Sequence, residues 1–227
     1  MKSLPEILNL IKTKNIKLCT KSIPVKVYED LIKTDNITDF SILYESLNDK
    51  HMLENIMIEN EPMPSYLHMK YAFKIFDLVA LDMINFRIKS GKRWHRGENI
   101  LHIACWMLNY DTIVKIIKTN PELLIESTDI GTPISYFIMA MYNTKNLVEN
   151  KYMDVIKSIN METYQTITQC KTSKSWSAYE LTLPAESTII DIINIIIASN
   201  NANKADILKV CNGIYDQLFP DSHVVSV

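Results

Sequence analysis

The stretch Gly97-Glu98-Asn99-Ile100-Leu101-His102-Ile103-Ala104-Cys105 decides how the rest of the chain is read. Leu101, Ile103 and the small Ala104 suit a short helix that a second helix approaches closely. That second helix follows at Asp111-Thr112-Ile113-Val114-Lys115-Ile116-Ile117. The pattern then returns. Asp129-Ile130-Gly131-Thr132-Pro133-Ile134-Ser135 places Thr132 33 positions after Asn99. A threonine there suits a helix cap, and the proline suits the first turn. Looking backwards, Leu67-His68 lies 34 positions before Leu101-His102, and Asp77 lies 34 before Asp111. A fainter copy runs from Thr38-Asp39-Phe40-Ser41-Ile42-Leu43-Tyr44 through Met52-Leu53-Glu54-Asn55-Ile56. Such a period marks units that bury their apolar faces only against one another.

The quoted stretch resembles the G-x-T-P-L-H-x-A-A opening of the ankyrin-repeat family, with Asn99 and Ile100 in place of Thr and Pro. The resemblance covers roughly Thr38 to Ile159. It implies an all-α fold, an ankyrin-like stack of antiparallel helix pairs with helical N- and C-terminal caps. Residues 1–37 would form the first cap, 38–160 the degenerate repeats, and 161–227 a polar insertion with the second cap. It also implies that His102 bonds backbone between neighbouring repeats. Two departures stand out. Asn109 occupies the place of the usual glycine, and asparagine tolerates the left-handed conformation. Tyr136 and Phe137 stand where small alanines belong, so that helix pair must splay or face something larger.

Helical periodicity extends beyond the repeats. Leu4, Ile7, Leu8, Leu10 and Ile11 share one face after Pro5, and Val27, Leu31 and Ile32 mark a second helix. Thr38 to Leu47 and Met52 to Met57 predict two more. The two prolines of Glu59-Asn60-Glu61-Pro62-Met63-Pro64-Ser65 forbid a helix from running on through them. A further pair is expected from about Leu67 to Phe76 and from Asp77 to Lys89, ending near Gly91. Glu162 to Leu183, rich in Thr, Ser and Gln, reads as an insertion or long loop. Ser175 to Leu183 is the nearest approach to a strand or hairpin. Ser187 to Ile197 and Lys204 to Leu218 form the closing helical pair.

The hydrophobic fraction of 47% supplies a continuous core, which excludes wholesale disorder. With 24 basic and 26 acidic residues the net charge is −2, so no global pull on polyanions is expected. Asn, Ile and Lys are abundant, as in proteins of AT-rich genomes. Cys19, Cys105, Cys170 and Cys211 lack CxxC spacing and read as free thiols of a reducing compartment. The N-terminus lacks the apolar run of a secretory signal. The most apolar stretch, Ile189 to Ala198, is far shorter than the roughly 20 residues a bilayer requires. A cytoplasmic protein is therefore expected.

No nucleotide-binding, hydrolase, kinase or zinc-protease signature occurs, and no catalytic residue, cofactor or metal is expected. Cys105 and His102, three apart on one helix, form a conceivable nucleophile pair, but repeat packing already accounts for both. The distinctive feature is Arg87-Ile88-Lys89-Ser90-Gly91-Lys92-Arg93-Trp94-His95-Arg96, with five fixed positive charges and no acid. In an ankyrin arrangement it is the finger between successive helix pairs. Two readings fit it. In one, Lys92, Arg93, Trp94, His95 and Arg96, with Tyr136, contact a partner protein through the fingers and concave face. In the other, the loop is solvated and Trp94 covers a core edge. The remaining predicted fingers, Glu59 to Ser65 and Glu126 to Ile130, are acidic or neutral, which suits a protein better than a polyanion. Degenerate ankyrin proteins of AT-rich composition recur among large DNA viruses and intracellular bacteria, so the resemblance implies modulation of a host factor in the host cytosol. Two rivals remain: an enzyme with its site in the polar segment 163–183, and a phosphate or nucleic-acid binder acting through loop 87–96. Val225-Ser226-Val227 also matches a tail that carboxylate-capturing domains bind.

Overall fold

A computed structural model describes residues 3–89, 97–144, 151–178, 181–199 and 204–218. Lys92, Arg93, Trp94, His95 and Arg96, and the tail Val225-Ser226-Val227, lie outside the described residues. The described residues are mostly helical, with two short antiparallel ribbons. The chain divides into two compact units, Met1–Trp94 and His95–Val227. That division falls inside the 38–160 segment, which the repeat reading treats as one array.

In the first unit, Ser3 and Glu6 form a capping box that opens α1, Leu4–Lys14. Two helix pairs follow: α2, Val25–Lys33, with α3, Ile37–Glu45, and α4, Met63–Met69, with α5, Phe73–Val79. Between the pairs run a 3-10 segment, Lys50–Asn55, and a ribbon of β1, Met57–Ile58, and β2, Glu61–Pro62. The helix expected over Met52 to Met57 is thus a 3-10 turn leading into a strand. Leu31, Ile32, Leu43, Leu53, Tyr66, Leu67 and Phe76 are fully or almost fully buried and form the core. Thr20, fully buried, is bound to Asp49, whose carboxylate accepts its amide (2.8 Å) and its hydroxyl (2.8 Å). Those two bonds hold the Asp49 carboxyl below its usual range.

The helix pairs close with one repeated device. Asp35, Tyr71 and Leu108 take left-handed φ values of 43°, 53° and 53°. After each, the next amide reaches back five residues: Asn36 to Leu31 (3.0 Å), Ala72 to Leu67 (3.0 Å) and Asn109 to Ala104 (3.1 Å). The left-handed residue itself donates to Ile32, His68 and Cys105 respectively. This is the Schellman turn, which satisfies the carbonyls a helix end leaves unpaired. It corrects two expectations. The left-handed residue of the third turn is Leu108, and Asn109 has an ordinary negative φ of −83°. The second pair breaks at Tyr71, earlier than the Phe76/Asp77 boundary expected, and Pro62 and Pro64 start α4 because a missing amide is harmless in a first turn.

Asp35 has a second role. Its carboxylate accepts the amides of Ile75 (3.2 Å) and Lys74 (3.4 Å), in the first turn of α5, where Ala72 supplies no side-chain cap. Tyr71 places a bulky ring, 67% exposed, on a conformation that disfavours side chains. Tyr71→Gly is therefore expected to be more stable than Tyr71→Ala by about 1 kcal/mol in urea unfolding, since both lose the ring but only Gly relieves the backbone. Equal stabilities would show that the turn is unstrained.

In the second unit, α6, Ile100–Trp106, and α7, Tyr110–Thr119, form a third pair. A 3-10 segment, Pro121–Ile125, leads to α8, Pro133–Asn143, and α9, Lys151–Lys157. Helix α6 packs on α8 and α7 packs on α9, so like elements of successive pairs meet. Residues expected as loop instead begin with α10, Met161–Gln169, capped by the Asn160 side chain accepting the Thr163 amide (2.8 Å). Tyr164 and Ile167 bury one face of it. A hairpin of β3, Trp176–Ala178, and β4, Leu181–Leu183, follows. Finally α11, Ile189–Ala198, and α12, Lys204–Leu218, close the unit, and α12 packs against α8, α9, α10 and α11.

Candidate functional site

The described end of the basic segment lies beside the first ribbon. Glu59 and Asn60 link β1 to β2 with φ of 52° and 68°, the two positive values of a tight hairpin turn whose twist suits its strands. Glu59 is pinned by Lys33 (3.0 Å) and lies 3.9 Å from Lys70, and the Lys33 bond lowers its carboxyl's pKa. A shallow cleft joins this ribbon to the start of the basic segment, with Glu54, Met57, Pro62, Phe86, Arg87 and Lys89 in its walls. The Arg87 guanidinium donates to the carbonyls of Ile84 (2.9 Å) and Phe86 (2.6 Å). Burial pushes the Glu54 carboxyl above its ordinary range, while the charges of His51, Arg87 and Lys89 draw it down. Met57, 53% exposed, adds apolar surface. The cleft therefore offers a Met, two cations and a half-desolvated carboxyl, a mixture suited to polypeptide.

A buried polar network lies in the second unit. Asn99 caps α6 by accepting the amides of Leu101 (2.9 Å) and His102 (3.0 Å), and its own side-chain amide donates to Glu126 (2.9 Å) and the Leu123 carbonyl (3.2 Å). His102 Nδ1 lies 3.2 Å from the Asn99 amide, and its Nε2 lies 3.4 Å from the Gly131 carbonyl. Nδ1 also lies 2.9 Å from the Asn99 side-chain oxygen, so the two ring nitrogens face Asn99 and Gly131 respectively. Gly131 also accepts the amide (3.0 Å) and hydroxyl (3.1 Å) of Thr128. Tyr136 donates to the Glu98 carboxylate, with the Thr128 hydroxyl 3.0 Å from its own. Its ring meets His102 edge-on at 4.8 Å. Burial, then the Glu98 charge, pushes the Tyr136 phenol far up, so it remains a donor throughout the ordinary pH range.

These contacts place the residues singled out in the sequence. Tyr136, expected at a partner surface, is 2% exposed and serves the network, because the ring fills the gap between α6 and α8. Thr132 precedes α8 as expected, but its hydroxyl lies 3.3 Å from that of Ser135 and makes no cap bond. Cys105 is fully buried and its thiol is pushed well up, the opposite of what a thiolate nucleophile needs. In segment 163–183, Thr166 and Thr168 bond helix carbonyls, and Ser173 donates its amide (2.9 Å) and hydroxyl (2.9 Å) to Asp129. Glu98, Thr128 and Asp35 are structural participants that the sequence did not signal, since each lies outside the motif positions.

Among the described residues no group of three His, Cys, Asp or Glu is placed to hold a metal ion, and no helix is long and apolar enough to cross a membrane. No protein-family model, curated protein or solved structure matches the chain.

Proposed function

We propose that this chain is a protein-interaction module built on degenerate ankyrin-like repeats, which holds its partner through the ribbon tips and the basic segment 87–96. The observation that carries the reading is the recurrence of one helix–left-handed turn–helix unit at Asp35, Tyr71 and Leu108, with the same backbone bonds each time. Three further features support it. A tight ribbon precedes α4 and a Thr128–Gly131 bridge precedes α8, as fingers precede the helices of such repeats. The His102 ring reaches the Gly131 carbonyl ahead of the next pair, as the motif histidine does. Repeats of this kind are scaffolds whose loops recognise and whose helices only position.

The test uses the full chain, tagged, against Arg87→Ala/Trp94→Ala/Arg96→Ala. Both are confirmed folded by their melting curves, then used to capture proteins from lysate at graded salt. A protein that binds purified wild type directly and the variant at least tenfold more weakly is the expected result, since losing one Trp and two Arg anchors removes well over about 1.4 kcal/mol. Equal capture by both would remove the basic segment as the site. Capture of nucleic acid with a steep salt dependence would replace the protein partner with a polyanion.

A further inference from the structure

Helices α7 and α9 flank an open cleft on the second unit, about 580 Å³ in volume, that none of the features above uses. On α7 the residues facing it are Asp111, Val114, Lys115 and Lys118, spaced as neighbours on one helical face. On α9 they are Lys151, Asp154 and Lys157. Lys151 bridges to Asp111 at 2.9 Å, tying the two walls together. Lys115, Lys118 and Lys157 are exposed and make no ion pair with a described residue, so they give this cleft a surplus of positive charge in a chain whose net charge is −2. Such a surplus, held on two packed helices, is a fixed electrostatic feature and recruits the opposite charge.

We infer that the α7/α9 cleft binds a short acidic segment of a partner protein. Charge sign alone would also admit a polyphosphate. Three features favour a peptide. Asp111 and Asp154 stand among the lysines and repel a ligand that is anionic at every position, whereas a peptide alternates charged and uncharged side chains. Val114 and the buried Tyr110 give the floor an apolar strip for such an uncharged side chain. From Asp111 to Lys118 the helix rises about 10 Å, the reach of roughly three extended residues. The cleft thus fits two carboxylates flanking one apolar residue. The inference stands apart from the reading of segment 87–96, which lies elsewhere in sequence and is untouched by the variants below.

The experiment measures fluorescence anisotropy of a labelled seven-residue peptide in which two Glu flank one central Leu and the other positions are Ser, added to the full chain. Lys115→Ala/Lys118→Ala/Lys157→Ala should bind it about tenfold more weakly, as expected from three exposed charge pairs. Lys12→Ala/Lys14→Ala/Lys21→Ala removes the same charge from the first unit and should leave binding unchanged. Replacing the central Leu by Glu should weaken binding, because the added charge meets Val114 and the two aspartates. No binding by wild type, equal weakening by the two triple variants, or tighter binding of inositol hexaphosphate or a single-stranded oligonucleotide than of the peptide would each overturn the proposal.

Discussion

Gly131→Ala is expected to destabilise the second unit by about 3 kcal/mol or more, read as a lower urea midpoint for loss of the α6–α8 core. Two causes add. Gly131 has φ of +130°, a region that essentially excludes side chains and costs about 1–3 kcal/mol when forced. A methyl there would also meet the Ser135 Cβ and Oγ, both at 2.7 Å, with the first turn of α8 behind them. Overpacking of that kind costs a further 1–3 kcal/mol, roughly. The carbonyl that the strain would displace is the one that Thr128 and His102 share. Gly131→Ala/Ser135→Gly separates the two causes: it relieves the collision, leaves the backbone strain and should recover only part of the loss. Full recovery would mean that the backbone conformation carries no penalty.

Tyr136→Phe is expected to cost about 2–3 kcal/mol, because it takes a donor from a carboxylate that is only 1% exposed. Tyr136→Phe/Glu98→Gln should cost less than the two single changes together, since the double variant removes the buried charge along with its donor. Strict additivity would mean that the two groups do not interact. The same pair fixes an alkaline limit. A phenol whose folded pKa is raised stabilises the fold fully below its unfolded value near 10 and loses that contribution as pH climbs further. Tyr28 and Tyr164 are raised in the same direction by burial. Wild type should therefore weaken above about pH 10, and Tyr136→Phe should show a shallower decline.

Much of the helical content was legible because apolar spacing alone specifies it: α1, α2, α3, α7, α11 and α12 fall where periodicity puts them. The pairing of helices was harder to read. Leu67-His68 matches Leu101-His102 in letters, yet it ends α4 whereas Leu101-His102 begins α6. The equivalent turns are Tyr71 and Leu108, 37 positions apart. Leucines recur every three or four residues on any buried helical face, so a match of two letters slides by one turn without losing its apolar register. The turns themselves gave no signal, because backbone bonds build them around Tyr and Leu where Gly is the usual mark. Helix α10 was hidden by its exposed Glu162, Gln165 and Thr166, which mask a narrow stripe of Tyr164 and Ile167. Of the candidate site, Tyr136 stands out in the sequence by its size, but its burial in a polar network does not. Its network partners Glu98 and Thr128 are 38 and 8 residues away in sequence and follow no local spacing.

The carboxylate of Asp35 belongs to the first helix pair and does its capping in the second. That gives the first unit a direction. The turn of the leading pair closes on its own backbone, whereas the first amides of α5 find their side-chain acceptor in the turn before it. Shortening the protein from its amino end would strip a finished element of its starting point, whereas the reverse dependence does not exist at this contact. A chain emerging amino end first makes the supporting turn before the helix that leans on it, so the order of synthesis and the order of support coincide.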